Sequence, residues 1–236
     1  MRLNFSQLFS QYSLCLCCSF HQSQKNGFCL GCYHDLPHIK SACLQCGLPL
    51  LNHSPCTCKP EDWPFTACLS AFEYQFPINE LIFQYKSAAR LALCDSFAQA
   101  IVAQVKRQQI PLPQLLMPVP LHAQKLKARG FNQSLEIAKI IGKHLSIPVD
   151  YHSLQCTQAS LQQKTLNKQQ RISNINQNFS LTKPVTATHI ALIDDVITTG
   201  ATTKALAYLL RQQGATHIQA WSIARTGLSN SKNALI

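Results

Sequence analysis

The stretch from Ile190 to Thr202, Ile-Ala-Leu-Ile-Asp-Asp-Val-Ile-Thr-Thr-Gly-Ala-Thr, limits what this chain can fold into more than any other feature. From His189 to Ile193 it has the continuous run expected of a parallel strand buried on both faces. Two carboxylates, Asp194 and Asp195, follow, and a small, hydroxyl-rich loop then turns directly into a helix. Backbone N–H groups of Thr199 to Thr202 are expected to point outward at that helix's N-terminus, where the macrodipole favours an anion, and threonine hydroxyls add donors. Carboxylates held at the carboxyl end of the strand can accept hydrogen bonds from the vicinal hydroxyls of a ribose beside the phosphate. A ribose 5-phosphate unit satisfies both halves, so Asp194, Asp195, Thr198, Thr199, Gly200, Ala201 and Thr202 are the candidate binding residues. An ordinary strand end with a capping Thr would not need carboxylates, Gly and Thr together. The absence of Gly-x-x-x-x-Gly-Lys excludes a Walker loop.

The flanking chain supplies the remainder of an α/β parallel sheet. Strand-like residues run from Ala67 to Phe76, Leu115 to Val119 and Ile218 to Ala224, and helices are predicted over Pro77 to Lys86, Leu91 to Gln109, Asn132 to Leu145 and Thr202 to Gln213. Gly214 is placed to close the last helix. Pro118-Val119-Pro120-Leu121-His122 leads to Arg129-Gly130-Phe131-Asn132-Gln133, and Lys125, Lys127 and Arg129 fall on alternate positions after the strand. That is a reasonable place to meet pyrophosphate oxygens. A solvated basic loop is the competing reading of the two lysines.

Nine of the twelve cysteines lie in the first 58 residues, and eight of them form the knuckles Cys15-x-x-Cys18, Cys29-x-x-Cys32, Cys43-x-x-Cys46 and Cys56-x-Cys58. Tetrahedral zinc needs four thiolates at about 2.3 Å, and each knuckle delivers two. Eight ligands make two closed, structural sites. Sequential pairing gives two short hairpin clips; a cross-braced pairing of alternate knuckles is the alternative. Cys17 competes with Cys18, but only Cys18 has the knuckle spacing. A disulfide framework would suit a secreted chain, and the N-terminus lacks the pattern of a secretory leader. Cys68, Cys94 and Cys156 stand alone and read as small buried residues.

Lys and Arg outnumber Asp and Glu by 21 to 10, a formal +11 on 236 residues that are 46% apolar. This composition can build a core and excludes wholesale disorder. The surplus points to a polyanionic partner: a phosphorylated metabolite, nucleic acid or anionic lipid. No stretch approaches the 18 apolar residues of a membrane span, so a soluble, reducing, cytoplasmic setting is expected.

The Asp194-Asp195 loop resembles the phosphoribosyl pyrophosphate loop of type I phosphoribosyltransferases. With the cysteine knuckles, the Pro-Val-Pro-Leu block, Arg-Gly-Phe-Asn-Gln and this loop in one order, the chain from about Cys15 to Arg225 resembles the ComF family of competence-associated proteins, which includes GntX-like members. Further similar features stand at Lys86, at Gln163 with Leu166, and at Arg171 with Asn174 and Phe179. Cys156, Gln158 and Ser160 depart from the Arg, Arg and Thr common in similar members, so no substrate contact is assigned to that segment.

The resemblance implies a type I phosphoribosyltransferase-like parallel sheet flanked by helices, with a small N-terminal cysteine-rich zinc-ribbon module. Residues 1–60 would form the double zinc ribbon, 61–76 a linker and first strand, and 77–236 the phosphoribosyltransferase-like domain. It implies two structural zinc ions, phosphoribosyl pyrophosphate with Mg²⁺ as ligand, and Lys86 and Arg129 beside it. It further implies a role in DNA uptake, with single-stranded DNA and a competence helicase as partners. The alternative is an active phosphoribosyltransferase on an unidentified acceptor in nucleotide or cofactor metabolism, whose catalysis would be positional and electrostatic.

Overall fold

The structure, a computed structural model, describes residues 14–50, 55–87, 90–157 and 178–227. Four strands, β1 (Ala67–Glu73), β2 (Leu115–Pro118), β5 (His189–Ile197) and β6 (His217–Arg225), form one sheet in the order β1-β6-β5-β2. Every neighbouring pair is parallel. A parallel sheet needs crossovers that cover both its faces. Helices α2 (Ile78–Ser87), α3 (Ala92–Gln108) and α5 (Gln133–Leu145) cover one, and α6 (Ala201–Gln212) covers the other.

The two-residue period of a strand explains why β5 reads as an unbroken apolar run. Ala191 and Ile193 enter the core beneath α3 and α5, whereas Ile190 and Leu192 pack with Leu206, Ala207 and Leu210 of α6. All seven side chains are fully buried or nearly so. Truncating one of the larger ones to Ala costs about 2–5 kcal/mol. Helix α6 ends as its sequence predicts: Gly214 has φ +98°, its N–H donates to Arg211, and the Ala215 N–H donates to Leu210, closing a Schellman turn.

Three further elements have no counterpart in the sequence-based expectation: Ala123–Arg129 is a helix, α4, rather than a basic loop, and β3 (Leu154–Cys156) pairs antiparallel with β4 (Phe179–Leu181). The N-terminal module contains one short helix, α1 (Leu30–Asp35). Among the described residues, no helix is long and apolar enough to cross a membrane.

Candidate functional site

Strand β2 stops pairing at Pro118, opposite Ile193, while β5 runs on beside β6 to Ile197. Asp194 and Asp195 therefore lie within the strand, just past the point where its other neighbour ends. Helix α5, following β2, packs on one face of the sheet, and α6, following β5, packs on the other. Adjacent strands that send their chains to opposite faces leave a crevice at their carboxyl ends. Here the crevice is about 330 Å³ and is lined by Asp194, Asp195, Ala201, Thr202, Lys125, His122, Gln133, Ser134 and Cys156.

The carboxylates differ in environment. Asp195 is buried, with one oxygen 2.9 Å from Lys86 Nζ and the other accepting from Gln133 Nε2 at 2.5 Å. Asp194 accepts from the Asp195 backbone N–H at 2.8 Å. Burial, and then the charge of Asp195, push the Asp194 carboxyl up to about 7.

The Arg-Gly-Phe-Asn-Gln segment builds this arrangement. Gly130, at φ +83°, closes α4, and its N–H donates to Leu126. Phe131 packs against Tyr85, with ring centroids 5.6 Å apart. Asn132 caps α5 by accepting from the Ser134 and Leu135 N–H groups, and its own amide donates to Val119 at 3.0 Å. Gln133 follows inside the first turn, accepts from Arg129 and donates to Asp195.

In the loop between β5 and α6, Gly200 is the residue before the helix and has φ +72°. A Cβ there would stand 2.8 Å from the Trp63 ring, so both backbone conformation and space require glycine. The Thr199 hydroxyl accepts from the Ala201 N–H, and the Thr203 hydroxyl donates to the Gly200 carbonyl. Ala201 and Thr202 face the crevice with the aspartates, whereas Thr198 and Thr199 line a separate cavity shared with Trp63, Lys59 and Arg225.

Cys15, Cys18, Cys29 and Cys32 converge in one group and Cys43, Cys46, Cys56 and Cys58 in another, with all sulfurs of a group within 4.8 Å of one another. The knuckles therefore pair sequentially. In the second group Cys43 and Cys58 sulfurs are 3.8 Å apart and those of Cys46 and Cys56 3.5 Å. A zinc tetrathiolate with Zn–S bonds of about 2.3 Å has sulfur–sulfur edges of about 3.8 Å. The donors thus fit two zinc ions, each with four thiolates and no open position. Cys17 contributes a backbone N–H to the Cys15 sulfur rather than a ligand position.

The other expected residues divide between the crevice and its surroundings. Lys125 lines the crevice, while Arg129 meets it through Gln133. A helix turns about 100° per residue, so Lys127 leaves the face that Lys125 and Arg129 share. Lys86 is engaged by Asp195. Cys68 and Cys94 are buried as expected, but Cys156 is half-buried on β3 at the crevice. Gln158, Ser160, Gln163, Leu166, Arg171 and Asn174 lie outside the described residues. Sequence reasoning gave no role to Gln133, Trp63 or Arg225; an arginine ending an apolar strand was the available signal for the last.

No protein-family profile matches the chain. Among solved structures it is similar to the purine phosphoribosyltransferase of Pyrococcus horikoshii, with 15% identity, a TM-score of 0.34, and coverage of 56% of this chain and 81% of that one. It is similar to competence protein F of Haemophilus influenzae, 29% identical over 85% of this chain and 91% of that protein. It is also 31% identical to DNA utilization protein YhgH of Escherichia coli K12, over 85% of this chain and 91% of that protein. At that identity and coverage, and with the cysteine groups and parallel sheet in place, the chain belongs to the ComF family, that of DNA utilization protein YhgH and competence protein F.

Proposed function

We propose that the chain binds phosphoribosyl pyrophosphate, with Mg²⁺ on the pyrophosphate, and acts in DNA uptake and natural transformation, handling single-stranded DNA alongside a competence helicase. The observation that carries this reading is the meeting of Asp194 and Asp195 with Ala201 and Thr202 in one crevice. Carboxylates there can accept from ribose hydroxyls while the first turn of α6 receives the 5-phosphate. Lys125 supplies a cation for the pyrophosphate. The DNA side is supported by relatives named for DNA utilization and competence. Residues 125–171, with eight basic and two acidic side chains, add electrostatic support. The test is calorimetric titration of phosphoribosyl pyrophosphate with Mg²⁺, together with filter binding of a single-stranded oligonucleotide across a salt series. Saturable heat and a steep loss of DNA affinity with salt are expected; no binding of either at low salt contradicts the reading.

A second reading, an active transferase, is favoured by a groove of about 610 Å³ that shares Leu121 and Cys156 with the crevice and is lined by Phe131 and Tyr151. Its test is release of pyrophosphate from phosphoribosyl pyrophosphate and Mg²⁺ during incubation with aromatic bases and nucleosides as acceptors; no release leaves a binding protein.

A further inference from the structure

The second cysteine group is joined to the phosphate loop by one buried side chain. Arg225 ends β6 and is 3% exposed. Its Nε donates to the carbonyl of Cys46 at 2.9 Å. One terminal nitrogen donates to the carbonyls of Ile197 at 3.0 Å and Thr226 at 3.1 Å, and in a closer contact to that of Thr198. A single guanidinium therefore ties the backbone of a cysteine knuckle to the last residue of β5 and the first of the loop. Trp63 belongs to the same joint. Lys204 of α6 lies 3.7 Å over its ring, Gly200 abuts its rim, and its carbonyl accepts from Gln45, inside the knuckle, at 2.6 Å.

The hydrogen-bond partners of Arg225 are neutral oxygens, and among the described residues it has no carboxylate within ion-pair distance. A buried cation without counter-charge is costly. Four thiolates around Zn²⁺ carry a formal −2, which supplies that counter-charge beside Cys46.

We propose that the second cysteine group is a working part of the ribosyl-phosphate site, and that Arg225 is the positioning residue that transmits its metal occupancy to the loop from Thr198 to Thr202. This rests on the ribosyl-phosphate reading above. When the group holds metal, the guanidinium is stabilised, the carbonyls of Ile197 and Thr198 are fixed, and the first turn of α6 stays aimed at the phosphate. When the group is empty, the Cys46 carbonyl that holds the guanidinium is no longer fixed by its knuckle, and the loop loses its anchor. The first group differs: Cys15 and Cys29 pack with Phe28 into the core under α3, on the opposite face of the sheet from α6.

The test uses the zinc-loaded 236-residue chain and three variants, Arg225→Met, Cys58→Ser and Cys18→Ser. Hydrogen exchange is followed in the segment 197–203, bound zinc is counted, and ribose 5-phosphate is titrated calorimetrically. Arg225→Met and Cys58→Ser are each expected to accelerate loop exchange and weaken ribose 5-phosphate by about tenfold or more. Cys18→Ser is expected to lose one zinc and leave both readouts within about twofold. Loop exchange unchanged by loss of the second zinc overturns the proposal, as does equal acceleration in Cys18→Ser. If Arg225→Met is unfolded by circular dichroism, Cys58→Ser and Cys18→Ser give the same decision. Should the wild-type chain bind no ribose 5-phosphate, the ligand reading fails, while loop exchange still decides the coupling.

Discussion

Gln133 Nε2 donates to Asp195 Oδ2 at 2.5 Å while Gln133 Oε1 accepts from Arg129, so one buried amide orients both a candidate ribose-binding carboxylate and the cation that ends the preceding helix. Lys86 holds the other oxygen of Asp195 at 2.9 Å. Gln133→Leu keeps the volume and removes both hydrogen bonds. The variant is expected to lose about 1–3 kcal/mol of stability and to bind ribose 5-phosphate about tenfold more weakly, read by urea unfolding and calorimetry. Wild-type affinity in a folded Gln133→Leu protein would show that the amide has no part in the site.

Asp194 gives the protein a specific pH dependence. Its carboxyl, raised from 3.8 to about 7 by burial and by Asp195, holds a proton in the native state that the unfolded chain releases above about pH 4. The native state therefore binds more protons between those values, and stability falls as pH rises from about 4 to about 7, by at most about 1.4 kcal/mol per pH unit. Asp194→Asn should remove that slope in denaturant unfolding measured from pH 5 to pH 8. Ribose binding should change in the opposite sense, strengthening through about pH 7 as the carboxylate becomes a full acceptor.

Gly200 combines φ +72° with the 2.8 Å approach of Trp63. In Gly200→Ala the left-handed conformation costs about 1–2 kcal/mol, and the methyl group must also displace the indole. A fall in Tm of about 3–8 °C follows for a chain of this size, together with weaker phosphate binding. An unchanged Tm would contradict the packing of the loop against Trp63.

Metal analysis of reduced, purified protein should return about two zinc ions per chain. Chelation strong enough to remove both should lower the unfolding midpoint, because thiolate–zinc binding free energy is folding free energy at such sites. Recovery of no zinc would remove the ribbons from the account.

What could be read in the sequence was what lies close together along it. The apolar run into Asp194, the Gly200 turn and the cysteine knuckles are each contiguous, and the structure contains each one. The helix over Lys125 to Arg129 was missed because α4 buries none of its residues and so carries no apolar stripe to betray it. Three-residue strands are too short for alternation to register, which hid the pairing of Leu154–Cys156 with Phe179–Leu181. The link from Arg225 to Cys46 spans 179 positions and depends on a hydrogen bond to a carbonyl, which no side-chain pattern encodes. Gln133 stood in the motif throughout, yet its role is apparent only when Asp195 is beside it.

The most direct test of the ribosyl-phosphate site is calorimetric titration of phosphoribosyl pyrophosphate and Mg²⁺ into the wild-type chain and into a double variant, Asp194→Asn with Asp195→Asn. The account predicts saturable binding to the wild type and none to the variant, with both proteins folded and both zinc ions retained. Equal affinity in the two proteins would contradict it.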